Sequence, residues 1–183
     1  MNSFAALALL YCLCSFVPES DAQTQPKKNQ PPLYTDTDGF RVLSSIIEAR
    51  TEGSEAGPVL LFHHTVSGKI VGKMTAECSS GFPGEFQTAL GDLEKKTEFV
   101  LQRQFSINKE YKFVETMVGV RTGIYSLSAV GFDDKKTHAI VLLQYLIGRL
   151  DGVLGGDRTF YLLRKTATGW QQAADVPTCG QIY

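Results

Sequence analysis

The 183-residue chain is short of the residue types that announce a chemistry. It holds three histidines and one tryptophan. It has no Gly-X-Ser-X-Gly elbow, no Gly-X-X-X-X-Gly-Lys loop and no His-X-X-X-His pair. Gly152 to Gly156 is rich in glycine but lacks the lysine and helix start of a phosphate loop, so it reads as a mobile connection. Charge of one sign is also missing: 18 basic side chains face 19 acidic ones, and the pairs Lys95-Lys96 and Lys135-Lys136 each sit beside acids. Solvated faces explain them, and no nucleic-acid partner is implied. No Asn opens an Asn-X-Ser/Thr sequon, so N-glycosylation is not expected. These absences remove the common catalytic signatures, and no catalytic residue, metal site or cofactor is assigned.

What is present begins with an apolar run from Phe4 to Val17, followed by Pro18 and the small residues Ser20 and Ala22 at the minus-three and minus-one positions of a cleavage site. Residues 1–22 read as a secretory signal peptide, which makes the mature protein extracellular with no membrane span after cleavage. Glu19 and Asp21 leave with it, taking the 19 acidic residues to 17 against 18 basic ones. Cys12 and Cys14 leave too, so Cys78 and Cys179 remain as a lone pair. In an oxidising compartment such a pair is most simply a disulfide. It would close a loop of about 100 residues, worth on the order of 4.7 kcal/mol in the chain-entropy model.

Residues 23–38, QTQPKKNQPPLYTDTD, hold three prolines and many amides, which predicts a disordered leader. Residues 39–183 are expected to form one α+β domain. Phe40, Leu43, Ile46 and Ile47 recur at helical spacing behind Asp38 as an N-cap. Val59–Val66 and Lys69–Thr75 flank Ser67-Gly68 like the arms of a hairpin. Glu85–Phe105 carries Phe86, Leu90, Leu93, Val100, Leu101 and Phe105 near one stripe and predicts a single long helix. Strands then follow at Tyr111–Arg121, Ile124–Phe132, His138–Ile147 and Phe160–Thr166, with Asp133-Asp134-Lys135-Lys136 as a tight connection and Trp170 after a Thr-Gly turn. His138–Ile147 is the most apolar run of the mature chain, too short for a bilayer helix and apolar on both faces. The expected architecture is a curved antiparallel sheet packed against a long helix. Ala139, Val141, Leu143, Tyr145 and Ile147 would face one side of it and Ile140, Leu142 and Leu146 the other; the helix from Glu85 to Phe105 can cover one of these faces, and either the first helix and the leader or a partner the second.

That order, with an aromatic patch over Phe99–Tyr111, the strand AIVLLQYL and a last strand closing on Thr168-Gly169-Trp170, resembles the NTF2-like or cystatin-like superfamily, in particular the Mce-associated domain. The likeness spans about residues 39–176. It implies an α+β roll with a cone between helix and sheet, where relatives place an acid-base His or Asp. Cystatins proper inhibit papain-like proteases through a Gln-X-Val-X-Gly hairpin and a Pro-Trp hairpin. The corresponding residues are Glu115-Thr116-Met117-Val118-Gly119 and Gly169-Trp170, of which only Gly119 and Trp170 match.

His63 and His64 are adjacent on an expected strand, so their side chains should leave opposite faces and not share a metal. His64 or His138 could serve an enzyme, but neither has a carboxylate at a telling spacing. Tyr111, Phe113, Tyr125, Tyr145, Tyr161 and Trp170 form an aromatic set along the strands. The expectation is therefore a secreted, non-enzymatic binding module for a protein partner or a small apolar ligand. Tyr145, Trp170, Tyr125 and His64 are the candidate binding residues. A structural matrix component and a cystatin-type protease inhibitor are the alternatives.

Overall fold

A computed structural model describes residues 30–53, 57–76, 78, 81–116, 123–149, 152–174 and 179–182. The expected signal peptide and the Gln-X-Val-X-Gly counterpart from Met117 to Gly119 lie outside these residues. The fold is α+β, and its centre is the strand β5, His138–Arg149. The apolar run becomes a strand because seven of its ten residues are Val, Ile, Leu or Tyr, which suit a pleated surface covered on both sides.

Eight strands form one sheet. β1 is Val59–Phe62, β2 Tyr111–Val114, β3 Gly123–Leu127, β4 Gly131–Phe132, β6 Gly152–Thr166, β7 Gly169–Gln172 and β8 Gly180–Ile182. The main path runs β2-β1-β3-β5-β6-β7, with β4 against β5 and β8 against β6. The sheet is mixed, where an antiparallel one was expected: β1 runs parallel to both β2 and β3, while β5 is antiparallel to β3 and β6. The β5–β6 ladder shifts register between Ile147 and Gly148, a bulge of the kind that bends a sheet.

Helices cover both faces. The helix α1, Thr37–Thr51, is capped by Asp36, whose Oδ1 accepts from the Gly39 N–H at 3.1 Å; Asp38, the expected cap, lies in the first turn. Phe40, Leu43, Ile46 and Ile47 pack on Leu61, Leu127, Ala139, Val141 and Leu143. The end of the expected leader joins this layer. Leu33 pairs with Val100, and Tyr34 is buried against Phe40 and Phe99. Three turn-forming prolines predict extension but say nothing about the aromatic ring that follows them. On the opposite face, Ile140 and Leu142 meet Phe86, Leu90 and Leu93 of the third helical segment together with Val71 of the second. The odd-numbered face of β5 is thus met by the first helix and the leader's end.

Several expected elements differ, and the expected strand Ile124–Phe132 is divided into β3 and β4. Gly68–Thr75 is a helix, α2, and not the second arm of a hairpin. Gly68, Val71 and Thr75 are its buried positions, a helical spacing that Ser67 opens as N-cap. The single long helix is instead a 3-10 turn at Gly84–Phe86 and the helix α3, Gln87–Lys95. Val100, Leu101 and Phe105 lie beyond it in extended chain, and Leu101 and Phe105 belong to the α1 side of the core. The glycine-rich stretch after Arg149 is not a loop but the first third of β6, where Gly156 passes so close to the Tyr145 carbonyl that a side chain would collide with it. Asp133 to Lys136 is the tight connection expected, and Trp170 follows the Thr-Gly turn.

Cys78 and Cys179 lie at disulfide distance, with Cα atoms 5.9 Å apart and a sequence separation of 101. No described helix is long and apolar enough to cross a membrane.

Candidate functional site

The four expected binding residues fall in three places. Tyr125 and Tyr145 are directly opposite on β3 and β5, their ring centroids 4.9 Å apart. The Tyr145 ring occupies the space over Gly123, where any Cβ would overlap it. On the same face, one register step along β6, Asp157 stands opposite Tyr145 and Tyr161 opposite Val141. Arg50, in the last turn of α1, reaches Asp157 Oδ2 at 2.5 Å. Burial raises the Tyr125 hydroxyl above its ordinary range and the Tyr145 ring adds to it; burial raises Tyr161 too, with Arg50 partly opposing. Asp157 Oδ1 is buried without a hydrogen bond. Ile147, next along the face, is exposed.

Trp170 stands apart from them. It lies 8% exposed in the core, 5.5 Å from the Phe132 ring, and borders a cavity of about 230 Å³ with Ile46, Tyr161 and Leu163. Tyr111 and Phe113 form a further aromatic group with Phe105. The aromatic set is therefore split among three neighbourhoods.

His64 belongs to a cluster that the strand rule concealed. β1 ends at Phe62 and the chain bends at His63, so the alternation of side chains stops there. The His63 N–H donates to the Val114 carbonyl at 3.0 Å, the Leu101 N–H donates to the His63 carbonyl at 2.8 Å, and His64 bridges to Val100. This lacing places Glu115, just past β2, on one side and Glu98 on the other. His63 Nδ1 lies 2.5 Å from Glu115 Oε1, and His64 Nε2 lies 3.4 Å from Glu115 Oε2. His64 Nδ1 lies 3.1 Å from Glu98 Oε1. Both histidines reach one carboxylate, contrary to the expected divergence. The His63 hydrogen bond holds the Glu115 carboxyl below its usual range, and burial, though opposing, does not cancel it. His63, His64 and Glu115 each offer a donor atom within 4.8 Å of the others, a set that could hold a metal ion.

His138, the other histidine considered for acid-base work, is engaged by Asp133. Asp133 Oδ1 accepts from the Thr137 and His138 N–H groups at 2.6 and 2.9 Å, and Oδ2 stands 3.1 Å from His138 Nδ1. The arrangement closes the β4–β5 turn. Its signal was in the sequence, an Asp four residues before Thr137, but reads as a turn motif.

No family model matches the chain, and comparison with curated proteins and with solved structures finds no match.

Proposed function

We propose that this protein is a secreted, non-enzymatic binding module that receives a protein partner on the face formed by Tyr125, Tyr145 and Tyr161 beside the Arg50–Asp157 pair. The observation that carries the reading is the Tyr125–Tyr145 pair, half-exposed at 4.9 Å centroid separation on a backbone held by the sheet. Tyrosines so held offer large, amphipathic contact area at little cost in conformational entropy, and they dominate many protein interfaces. Ile147, exposed beside the pair, extends the apolar rim. An apolar small ligand is less well served, because the pair lies on a sheet face beside an ion pair. Kinship with the NTF2-like or cystatin-like rolls stays part of this proposal, supported by the antiparallel run β3-β5-β6-β7 under one amphipathic helix.

The test is partner capture from extracellular fluid by the immobilised mature chain, with quantitative affinity for whatever protein is recovered. Tyr125→Ala together with Tyr145→Ala should weaken that affinity at least about 30-fold, as truncation of two interface anchors does. Equal capture by the double variant and the parent would reject the face. A catalytic turnover lost in His64→Ala would reject the non-enzymatic reading.

A further inference from the structure

The histidine–carboxylate cluster lies outside the tyrosine face and is not used by the binding role proposed above. Two readings compete for it. In the plain one, His63–Glu115 and His64–Glu98 are partly exposed ion pairs, of a kind that contributes little. In the other, they are the ligands of an ion.

Three observations favour the second. The donors are two imidazole nitrogens and one carboxylate oxygen, a set that suits zinc-class divalent ions and not the oxygen-seeking calcium or magnesium. The spacing is close to what such an ion requires. Ligands about 2.05 Å from a tetrahedral ion stand roughly 3.3 Å apart, and His64 Nε2 and Glu115 Oε2 are 3.4 Å apart. The hydrogen bond between His63 Nδ1 and Glu115 Oε1 spans 2.5 Å. Exchanging its proton for a cation opens that gap by about 0.8 Å, which the 65%-exposed Glu115 side chain allows. The third observation concerns the far side of His64. Its Nδ1 is buried without an aligned hydrogen bond, yet faces Glu98 Oε1 at 3.1 Å. A carboxylate behind a ligand imidazole selects the tautomer whose other nitrogen is free to coordinate.

We infer that His63 Nδ1, His64 Nε2 and the Glu115 carboxylate form an open site for a zinc-class divalent transition-metal ion, with Glu98 as a positioning residue behind His64. Three protein ligands leave at least one coordination position to water or to a group from outside, as in zinc sites that are not purely structural. Beside it lies a cavity of about 250 Å³ bordered by Phe62, His64, Thr65, Ile70, Glu98 and Gln144, room enough for such a group. The backbone around the site is tied to β2 and to the Phe99–Leu101 segment, so the imidazoles are presented by a framework that does not depend on the ion.

The experiment is isothermal titration of the untagged mature chain with Zn²⁺, with Mg²⁺ and Ca²⁺ as controls and Co²⁺ as a spectroscopic probe of coordination. One equivalent of Zn²⁺ is expected, Mg²⁺ and Ca²⁺ should give no heat, and Co²⁺ should develop the visible bands of a four-coordinate ion. His64→Gln and Glu115→Gln, which keep side-chain size, should each weaken Zn²⁺ at least about tenfold; Glu98→Gln should weaken it about 10- to 100-fold, with Glu98→Asp recovering part. His138→Ala should bind as the parent does. Thermal melts of each variant without metal separate loss of ligands from loss of fold, and His63→Gln supplies a second ligand variant should one fail to fold. No uptake at about 0.1 mM free Zn²⁺, or uptake unchanged in both His64→Gln and Glu115→Gln, overturns the assignment.

Discussion

Ser128 and Leu142 exchange two hydrogen bonds where β3 gives out: the Ser128 N–H donates to the Leu142 carbonyl at 2.9 Å, and the Leu142 N–H donates to Ser128 Oγ at 2.9 Å. The hydroxyl donates onward to the Ala129 carbonyl at 2.7 Å. A side chain thus replaces a missing rung beside the central strand, in a fully buried place. Ser128→Ala would leave the Leu142 N–H without a partner, costing about 1–3 kcal/mol. Urea unfolding should show a lower midpoint at unchanged slope.

Gly68 opens α2 where that helix meets α3. Its N–H donates to the Lys96 carbonyl at 2.8 Å, and a methyl on its Cα would fall about 2.6 Å from the Leu93 carbonyl oxygen. Alanine ordinarily stabilises a helix by about 1 kcal/mol over glycine. Here backbone cannot yield as a side-chain tip would, so Gly68→Ala should destabilise by about 1–3 kcal/mol. Thermal unfolding decides the sign, and a raised midpoint would contradict the close approach.

Asp133 gives a pH dependence with a definite direction. Burial pushes its carboxyl up, but the His138 backbone N–H, the Thr137 hydroxyl and the other bonds it accepts outweigh that and hold it well below the usual carboxylate range. A depressed folded value contributes stability in full above the unfolded value near pH 4 and loses it as pH falls toward the folded one. Between about pH 4 and pH 2 the parent should therefore lose stability more steeply than Asp133→Asn. Parallel curves in denaturant titrations across that range would refute the link.

Trp170 is the chain's one tryptophan, and its Nε1 is buried without a hydrogen bond. Its contribution is apolar packing on Phe132. Trp170→Ala should cost about 3–5 kcal/mol, whereas Trp170→Phe, which gives up no hydrogen bond and leaves a smaller cavity, should cost clearly less. Guanidinium unfolding followed by circular dichroism compares the two.

Cys78 and Cys179, at disulfide distance, join the start of the α2–α3 connection to the residue before β8. Digestion without reductant should yield their two peptides linked. Reduction should lower stability by about 4.7 kcal/mol at most, read as a fall in melting temperature. Free thiols at both Cys78 and Cys179 would remove the bond.

Some of this was legible because one signal pointed one way. The run at β5 is too short for a membrane helix and its Val, Ile and Tyr favour a strand, while Phe40, Leu43, Ile46 and Ile47 recur at helical spacing. Other stretches carried two signals. Ser67-Gly68 is both a hairpin turn and a helix N-cap, and only the burial of Val71 and Thr75 against α3 chose the second. Past Lys95 the apolar spacing continued by coincidence, since Leu101 and Phe105 are buried from extended chain. Glycines at 155 and 156 suggested a loop, yet glycine is what permits β6 to pass the Tyr145 carbonyl.

The sequence by itself determined the central strand, the first helix and the tight turn at Asp133, because each depends on local pattern; that Cys78 and Cys179 stand at disulfide distance is a matter of the fold. Tertiary structure alone decided that helices cover both faces of the sheet, that Trp170 is core while Tyr125 and Tyr145 stay half-exposed, and that His63 and His64 converge on Glu115. Those outcomes join residues as far apart as positions 64 and 115. Side-chain periodicity ceases to govern where a strand ends and the backbone bends, and distance along the chain carries no information about which carboxylate will be waiting there.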